Sequence, residues 1–379
     1  GDWSGFIGTV NVTPNSAYDN ISSSNVLIMN NSAGMPQGTL HLTSGITLCY
    51  RNNWENNGTT TIKLGMLTGT SGATFFNAGL EVGANGNTGT FAGAITGVSS
   101  VRKMGKGSWT LSGANTYTGT TTISEGLLTL SGSKTGTGLV TVGSNGELRV
   151  YGTMNGRINA AAGSRMYVAG TLGGPVYLAA ASVSAPGARL AGNGKVTGSL
   201  VAGTNAVVSP SDSSVIGTFM VEGDLTMNGA IYEAQVSGGS TAKSDKLAVT
   251  GTLTVAGRLL LKQLNTTPLI EGNTFQLFTA GSIKGTFTEV RLPTLSEGLV
   301  WDTTALYKSG VIRVLNPLSL GHPTFETGLV ANPTDGLFSV KIKGAPATVH
   351  MTVLNLTGQT VYSAKTTTQE GEVLIDLRH

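Results

Sequence analysis

Short runs in which apolar and polar residues alternate recur along almost the whole chain. Clear examples are WTLSG at 109–113, LLTLSG at 127–132, ELRVYG at 147–152 and RMYVAG at 165–170. Each run places two apolar residues on one face and polar residues on the other, as a strand does when it covers one side of a core. No long stretch shows the i, i+3, i+4, i+7 spacing of an amphipathic helix. The pattern therefore predicts an all-β protein.

Glycines divide these runs at nearly equal intervals. Gly119, Gly138, Gly156, Gly174 and Gly194 each close a segment, at intervals of 19, 18, 18 and 20 residues. This is about the length of one coil in a repeating β-structure. One such segment cannot bury its own apolar face, so neighbouring segments must stack to form a continuous core. The spacing favours a parallel β-helix, which is a solenoid. A β-sandwich stays open as the alternative, because it also has short strands at regular spacing.

A change in proline and glycine content after residue 316 divides the chain into two predicted domains. A β-helical repeat region is assigned to residues 1–316, with the clearest coils at 101–260 and a closing part at 261–316. A proline-punctuated linker follows at 317–331. Alternating strands at 332–379 predict a small, partial Ig-like β-sandwich whose last strand we expect to be missing.

Composition and charge restrict the classes of partner. Of the 379 residues, 39% are hydrophobic, 11% are charged and 55 are glycine, which is not the composition of a disordered chain. The formal net charge is +3, but Lys and Arg are scattered singly along the sequence, so nucleic acid is not an expected partner. No apolar run approaches the roughly 20 residues of a membrane-spanning helix, and no transmembrane segment is expected. A start at Gly1 indicates either a removed leader or part of a longer protein.

One segment of the repeat region carries a family resemblance. Residues 103–132, KMGKGSWTLSGANTYTGTTTISEGLLTLSG, closely resemble the autotransporter-associated β-strand repeat. The matching features are Gly105 and Gly107, the LSGANTYTG run at 111–119, and Gly126 followed by LLTL. The resemblance implies a right-handed β-helical passenger or stalk. It also implies export across the outer membrane of a Gram-negative bacterium, or attachment behind a polysaccharide-active module.

The C-terminal part is similar to a second family, the sorting domain of the type nine secretion system of Bacteroidetes. The residues that carry this similarity are NPTDGLFSV at 332–340, VLNLTGQTVYSA at 353–364 and VLIDL at 373–377. The resemblance implies a secretion and anchoring element whose partner is the secretion machinery. The family normally continues through a further strand pair, which this sequence does not contain.

Residues able to do acid, base or nucleophilic chemistry are sparse. Four histidines occur, at 41, 322, 350 and 379, and none falls in a metal-binding motif. His41 lies in an alternating strand and is expected to face solvent. No catalytic residue, cofactor or metal ligand is therefore predicted. The charged residues of the clearest repeats lie on different coils without paired carboxylates, and are predicted to form a solvated surface: Arg102, Lys103, Lys106, Glu125, Glu147 and Arg149.

One polar and aromatic cluster is the best candidate for a ligand contact. Tyr50 and Trp54 flank Arg51 and two asparagines. Aromatic rings can stack on sugar faces, so Tyr50, Arg51 and Trp54 are predicted to contact a polysaccharide or surface glycan. The alternative is that these rings cap the stack or cover an exposed edge. Nearby Cys49, the single cysteine, is predicted to be a buried core residue, and Trp109 to pack in the core or at its edge.

These observations predict a non-catalytic exported scaffold or stalk module, secreted or at the cell surface, within a larger secreted protein. Two alternatives stay open: a carbohydrate-binding accessory module of a polysaccharide-degrading lyase or hydrolase, and an adhesin, which rests on family analogy alone. An enzyme in its own right would need several acidic or basic side chains to converge in one groove.

Overall fold

Short strands account for nearly all the regular structure of the chain. The computed structural model describes residues 3–14, 25–29, 33–50, 60–182, 185–211, 215–317, 327–329, 337–342, 348–354, 360–367 and 372–376. Within these ranges the one helix is a single turn, Leu306–Ser309, and every other regular element is a strand. The prediction of an all-β protein is confirmed.

The largest sheet in the described ranges has 22 strands. Its pairings are parallel except for a hairpin between Ala230–Ser237 and Lys243–Ser244. The other strands of this sheet are Thr9–Val12, Met35–Leu42, Thr61–Gly69, Gly79–Val82, Gly89–Phe91, Ser100–Lys103, Ser108–Leu111, Thr121–Leu130, Val140–Val150, Ile158–Ala160, Arg165–Val168, Val176–Leu178, Arg189–Ala191, Leu200–Ala202, Val207–Ser209, Leu225–Met227, Thr252–Val255, Gly257–Gln263, Ser282–Gly285 and Glu289–Arg291.

The register of this sheet explains the alternating pattern. Leu128, Leu148, Met166, Leu190 and Val208 are successive partners in parallel pairs, and all five are buried. Partners in this column are therefore 18 to 24 residues apart in sequence, one coil each, and their apolar side chains stack into a continuous core. The arrangement is β-helix-like, because each strand pairs with equivalent strands of the preceding and following coils rather than with its neighbour in a hairpin.

Two smaller parallel sheets complete the coils of the described region. The longer contains Ala114–Asn115, Ser133–Lys134, Thr153–Met154, Thr171–Leu172, Lys195–Val196, Thr218–Val221, Lys246–Val249 and Phe278–Thr279. The shorter contains Val26–Met29, Thr47–Tyr50, Thr74–Phe76 and Ala94–Thr96. The buried Asn115 links them, since its Oδ1 accepts from the Ile95 backbone N–H at 3.0 Å and its Nδ2 donates to the Ser133 carbonyl at 3.0 Å.

Glycine occupies the corners where successive coils approach most closely. A Cβ at Gly138 would overlap the carbonyl oxygen of Gly119, and equivalent contacts place Gly156 on Gly138 and Gly174 on Gly156. Only glycine fits such a column, since any side chain would meet backbone. Gly194 does not continue it. It lies on Gly170, in a second column of glycines. The nearly regular interval in the sequence therefore predicted the wrong corner for Gly194.

After residue 263 an antiparallel sheet forms in addition to the parallel pairings, which continue as far as Glu289–Arg291. Thr274–Gln276 pairs antiparallel with Val311–Leu315, and Val300–Asp302 is the third strand of that sheet. The helical turn Leu306–Ser309 ends at Gly310, whose φ of 74° is the left-handed conformation that glycine adopts at helix ends. This segment belongs to the predicted closing part.

Contacts divide the chain into two compact units. The first comprises residues 1–296 and 301–314, and the second residues 297–300 and 315–379. In the second unit, Leu337–Ile342 pairs antiparallel with both Thr327–Leu329 and Glu372–Asp376. Thr348–Leu354 and Thr360–Thr367 form a separate antiparallel pair. The linker limits at 317–331 and the Ig-like character of 332–379 stay predictions.

Candidate functional site

The predicted glycan-contacting cluster falls mostly outside the described residues. Tyr50 is the last residue of the strand Thr47–Tyr50 and is half-buried. Arg51 and Trp54 lie in a range that the structure does not describe, so their contact with a glycan stays a prediction. The candidate site developed below is formed by other residues.

Three residues within strands of the repeat region test predictions made from the sequence. Cys49 is 5% exposed, which confirms that it is a core residue, and burial raises the pKa of its thiol. Trp109 is fully buried and its indole N–H donates to the Leu67 carbonyl at 2.8 Å. His41 is half-buried rather than turned to solvent, because its Nδ1 lies 2.9 Å from the Thr68 hydroxyl on the next strand.

Lys103 contradicts the prediction that the charged residues of the repeats lie on a solvated surface. Its side chain is fully buried, and its Nζ donates to the carbonyls of Met104 at 2.6 Å, Gly105 at 2.7 Å and Glu125 at 3.3 Å. An ammonium group has three donors, and all three find backbone oxygens here. Burial lowers the pKa of Lys103 to about 8, against a smaller opposing effect of Glu125.

The same turn explains the glycines of the repeat motif. Gly105 has φ 61° and Gly126 has φ 71°, a conformation that side chains disfavour. A Cβ on Gly126 would also overlap the Gly105 carbonyl oxygen and would lie 2.9 Å from the Lys103 Nζ. The spacing of lysine and glycines in this motif therefore encodes one buried, hydrogen-bonded turn between two coils.

A second set of charged residues projects from the outer side of the largest sheet. Arg165 pairs in register with Glu147 on one neighbouring strand and with Arg189 on the other. Arg149 pairs with Tyr167 in the same two coils. Residues between them in sequence, such as Leu148 and Met166, are buried, so the charged side chains point outward. We call the following set the outer arginine face: Glu147, Arg149, Tyr151, Arg165, Tyr167, Arg189 and Arg258.

Most cations of the outer arginine face have protein partners. Arg149 Nε lies 2.6 Å from Glu147 Oε1, and Arg189 lies 2.8 Å from Glu233 Oε1. Glu233 also contacts Lys262 at 3.1 Å. Burial alone would raise the pKa of Glu233, but the hydrogen bonds and charges of Arg189 and Lys262 outweigh it, so the pKa is lowered overall.

Three clefts adjoin along this face, and Arg165 lines all of them. Their volumes are about 660, 640 and 360 Å³. The first and second also share Glu147, the second and third share Arg189, and the first and third share Gly163, so the three clefts meet around Arg165. Besides Arg165, the first cleft is lined by Lys106, Glu125 and Glu147. The second is lined by Tyr151, Tyr167 and Arg189, and the third by Arg189, Asn205 and Arg258.

Two tyrosine rings border the middle cleft. The ring centroids of Tyr151 and Tyr167 are 6.0 Å apart with planes tilted by 51°, and Tyr151 is 51% exposed. An exposed ring beside an unburied guanidinium offers an apolar face and a hydrogen-bond donor in one place. Chemically, the outer arginine face can therefore hold a ligand that carries both anionic groups and apolar ring faces.

The outer arginine face was not predicted from the sequence because its arginines are scattered along the chain. Arg149, Arg165 and Arg189 lie on three coils, and the paired positions of each coil become visible only when the apolar residues are aligned. The available signal was the similar spacing in ELRV, RMYV and RLA, in which an outward residue precedes the buried Leu148, Met166 and Leu190. A count of charges along the chain does not contain this information.

The described ranges contain no group of three or more His, Cys, Asp or Glu residues placed to hold a metal ion. Across the same ranges, no helix has the length and apolar character needed to cross a bilayer.

Comparisons with known proteins connect the repeat region to exported proteins. Residues 101–128 match the family model described as the passenger-associated-transport-repeat. No curated protein matches the chain significantly. The match confirms the resemblance of this segment to an autotransporter-associated repeat, and it is consistent with an exported or surface module of passenger type. It does not extend to the C-terminal segment.

Proposed function

We propose that this protein is a non-catalytic scaffold or stalk module exported to the cell surface. The observation that carries the proposal is the repeat match at 101–128. Its residues form the strands Ser100–Lys103 and Ser108–Leu111 and much of Thr121–Leu130, all of them in the largest parallel sheet. Thr121–Leu130 pairs with both of the other strands, so the matched segment covers one coil and the beginning of the next. We extend the role that the match suggests to the similar coils around it.

The physical basis of such a role is the addition of similar coils. Each coil contributes an apolar layer and backbone hydrogen bonds to its two neighbours, so stability accumulates from nearest-neighbour interfaces. A stack of this kind can hold an attached module away from a surface without a separate core for each segment. We further infer a right-handed parallel β-helix, a solenoid, because connections between parallel strands of one sheet are nearly always right-handed.

Turnover assays test the non-catalytic part of the proposal. The full chain is incubated with a panel of plant and host polysaccharides, and reducing ends and unsaturated sugars are measured. We expect no product above a heat-denatured control. Release of either product would overturn the claim that the module is non-catalytic.

Surface exposure is tested in the native host. Proteinase K added to intact cells should degrade the protein while a periplasmic control protein survives, because we propose that it lies outside the outer membrane of a Gram-negative cell. Protection of the protein in intact cells would contradict export to the surface.

A carbohydrate-binding accessory module is the second candidate function, favoured by the exposed ring of Tyr151 beside Tyr167. The sequence-based patch of Tyr50, Arg51 and Trp54 belongs to the same hypothesis. Binding of polysaccharides by Trp54→Ala and by wild type compares the two locations: loss of binding in this variant would place the contact at the sequence-based patch. An adhesin has no comparable observation in its favour.

For residues 332–379 we propose a secretion and anchoring role, supported by the sequence resemblance alone. Fusion of this segment to a reporter protein, expressed in a Bacteroidetes host with and without a type nine secretion system, tests it. Reporter export that depends on the system is expected, and retention of the reporter in both hosts would refute the role.

A further inference from the structure

Arg165 differs from the other arginines of the outer arginine face in its partners. Arg149 pairs with Glu147, Arg189 pairs with Glu233, and Arg258 donates to Asn205 Oδ1 at 3.0 Å. Arg165 is exposed, and within the described part of the chain its guanidinium makes no hydrogen bond or ion pair. It is thus an unpaired cation with five donors, held between clefts on both sides.

We propose that the outer arginine face binds a carboxylated polysaccharide, with Arg165 as the central contact for a sugar carboxylate and Tyr151 as a platform for a sugar ring. The proposal gives the carbohydrate-binding alternative a site and a class of ligand. It is independent of the scaffold role, which the turnover and surface assays test separately.

The geometry favours a linear chain that runs across the coils. The cleft lined by Lys106 and the cleft lined by Arg258 share Gly163 and Arg165, so a polymer can pass from one to the other across the coils. The cleft lined by Tyr151 adjoins both at Arg165. Paired strands lie about 4.8 Å apart, which is similar to the length of one hexose unit. Cations on neighbouring coils, such as Arg165 and Arg189, therefore meet anionic groups on neighbouring or alternate sugars.

The outer arginine face combines an unpaired cation, Arg165, with the exposed ring of Tyr151. Glu147 and Glu233 lie among the arginines and repel any polyanion, so charge alone does not separate a uronic acid polymer from a nucleic acid, and single-stranded DNA is therefore a control in the experiment below. A uronic acid polymer carries one carboxylate per ring and has apolar ring faces between them. A guanidinium binds a carboxylate through two parallel hydrogen bonds, and the half-exposed Tyr151 covers an adjacent apolar face.

Affinity measurements on the full chain test the proposal. Polygalacturonate is the probe, dextran the neutral control, dextran sulfate the sulfated control without carboxylates, and single-stranded DNA the phosphate control. The variants are Arg165→Gln and Tyr151→Ser. The matched control is Arg157→Gln, which removes the same charge from an exposed arginine that lines none of the three clefts. Circular dichroism verifies that each variant is folded.

We expect wild type to bind polygalacturonate, with affinity that falls as salt is raised. Arg165→Gln should weaken binding at least about tenfold, as expected for loss of a charge-assisted hydrogen-bond pair. Tyr151→Ser should weaken it less, and Arg157→Gln should leave it unchanged. The proposal is overturned by equal affinity of wild type and Arg165→Gln, by equal binding of dextran, or by preferential binding of dextran sulfate or DNA.

Discussion

Two groups of cations in the same stack of coils have opposite surroundings. Lys103 and Lys134 are fully buried, and Lys134 Nζ donates to the carbonyls of Gly136 at 2.6 Å, Gly138 at 3.4 Å and Asn155 at 3.3 Å. The same Nζ lies 5.0 Å from the centroid of the Tyr117 ring. The outer arginine face instead holds its guanidinium groups at the surface, where Arg165 has no protein partner within the described residues.

The difference separates a structural use of charge from a binding use. Tight corners leave carbonyl oxygens without a strand partner, and a buried ammonium can supply three donors at once. A buried cation with complete hydrogen bonding is therefore part of the fold, and its replacement should affect stability. An exposed cation without a partner contributes little to stability, and its replacement should affect ligand binding.

The largest effect is expected at a corner between coils. Gly152→Ala should lower the free energy of unfolding by more than about 4 kcal/mol, because its Cβ would overlap the Gly132 carbonyl oxygen and only backbone movement could relieve the clash. The urea midpoint measures this. Gly5→Ala is the control, since no atom lies within 4 Å of its Cβ position. Similar midpoints for the two variants would show that the corners tolerate side chains.

The next largest effect is expected for the buried ammonium. Lys134→Met keeps the chain length but leaves the carbonyls of Gly136, Gly138 and Asn155 without this donor, so we expect a loss of about 2 kcal/mol at pH 7. The exposed Lys195, which pairs with Glu222 at 2.9 Å, provides the comparison: Lys195→Met should cost less than about 1 kcal/mol. If Lys134→Met unfolds at the wild-type urea concentration, the buried lysine is not a stabilising donor.

The buried lysines also predict a pH dependence. Burial lowers the pKa of Lys103 and of Lys134 to about 8, whereas both return to about 10.4 when the chain unfolds. Between these values the unfolded chain binds more protons, so stability should rise with pH. We expect wild type to gain about 1 to 2 kcal/mol per lysine, relative to a variant without that lysine, between pH 8 and 9.5.

Urea titrations at several pH values measure this gain, and Lys134→Met supplies the variant. The deficit of Lys134→Met against wild type should therefore widen as pH rises. A constant deficit across this range would mean that Lys134 keeps an ordinary pKa.

The smallest effects are expected on the outer arginine face. Arg189→Gln should lower stability by about 1 kcal/mol or less. The variant removes one of the two cationic partners of Glu233, whose side chain is only 17% exposed, but the ion pair between Glu233 and Lys262 remains. Arg165→Gln should change stability by less than about 0.5 kcal/mol. Thermal unfolding of the two variants gives the comparison. A large loss of stability in Arg165→Gln would contradict the assignment of Arg165 to binding.

Structural features that repeat along the sequence could be predicted from it, whereas features that depend on the register between strands could not. The strands, the buried Leu128 and Leu148, and the corner glycines from Gly119 to Gly174 repeat in sequence at the length of one coil, so a single chain displays them. Gly194 was misassigned because the coil between Arg165 and Arg189 is 24 residues long. Extra residues before Arg189 shift every later position relative to a fixed interval.

The sequence alone determined that the protein is all-β, that its strands recur at nearly regular intervals, and that Cys49 and Trp109 belong to the core, because apolar alternation and glycine spacing are local properties of the chain. The tertiary structure decided that Lys103 lies inside and Arg165 outside, and that Arg149, Arg165 and Arg189 share one face. These outcomes depend on which strands pair and in what register, since a shift of one residue moves a side chain to the opposite face of the sheet.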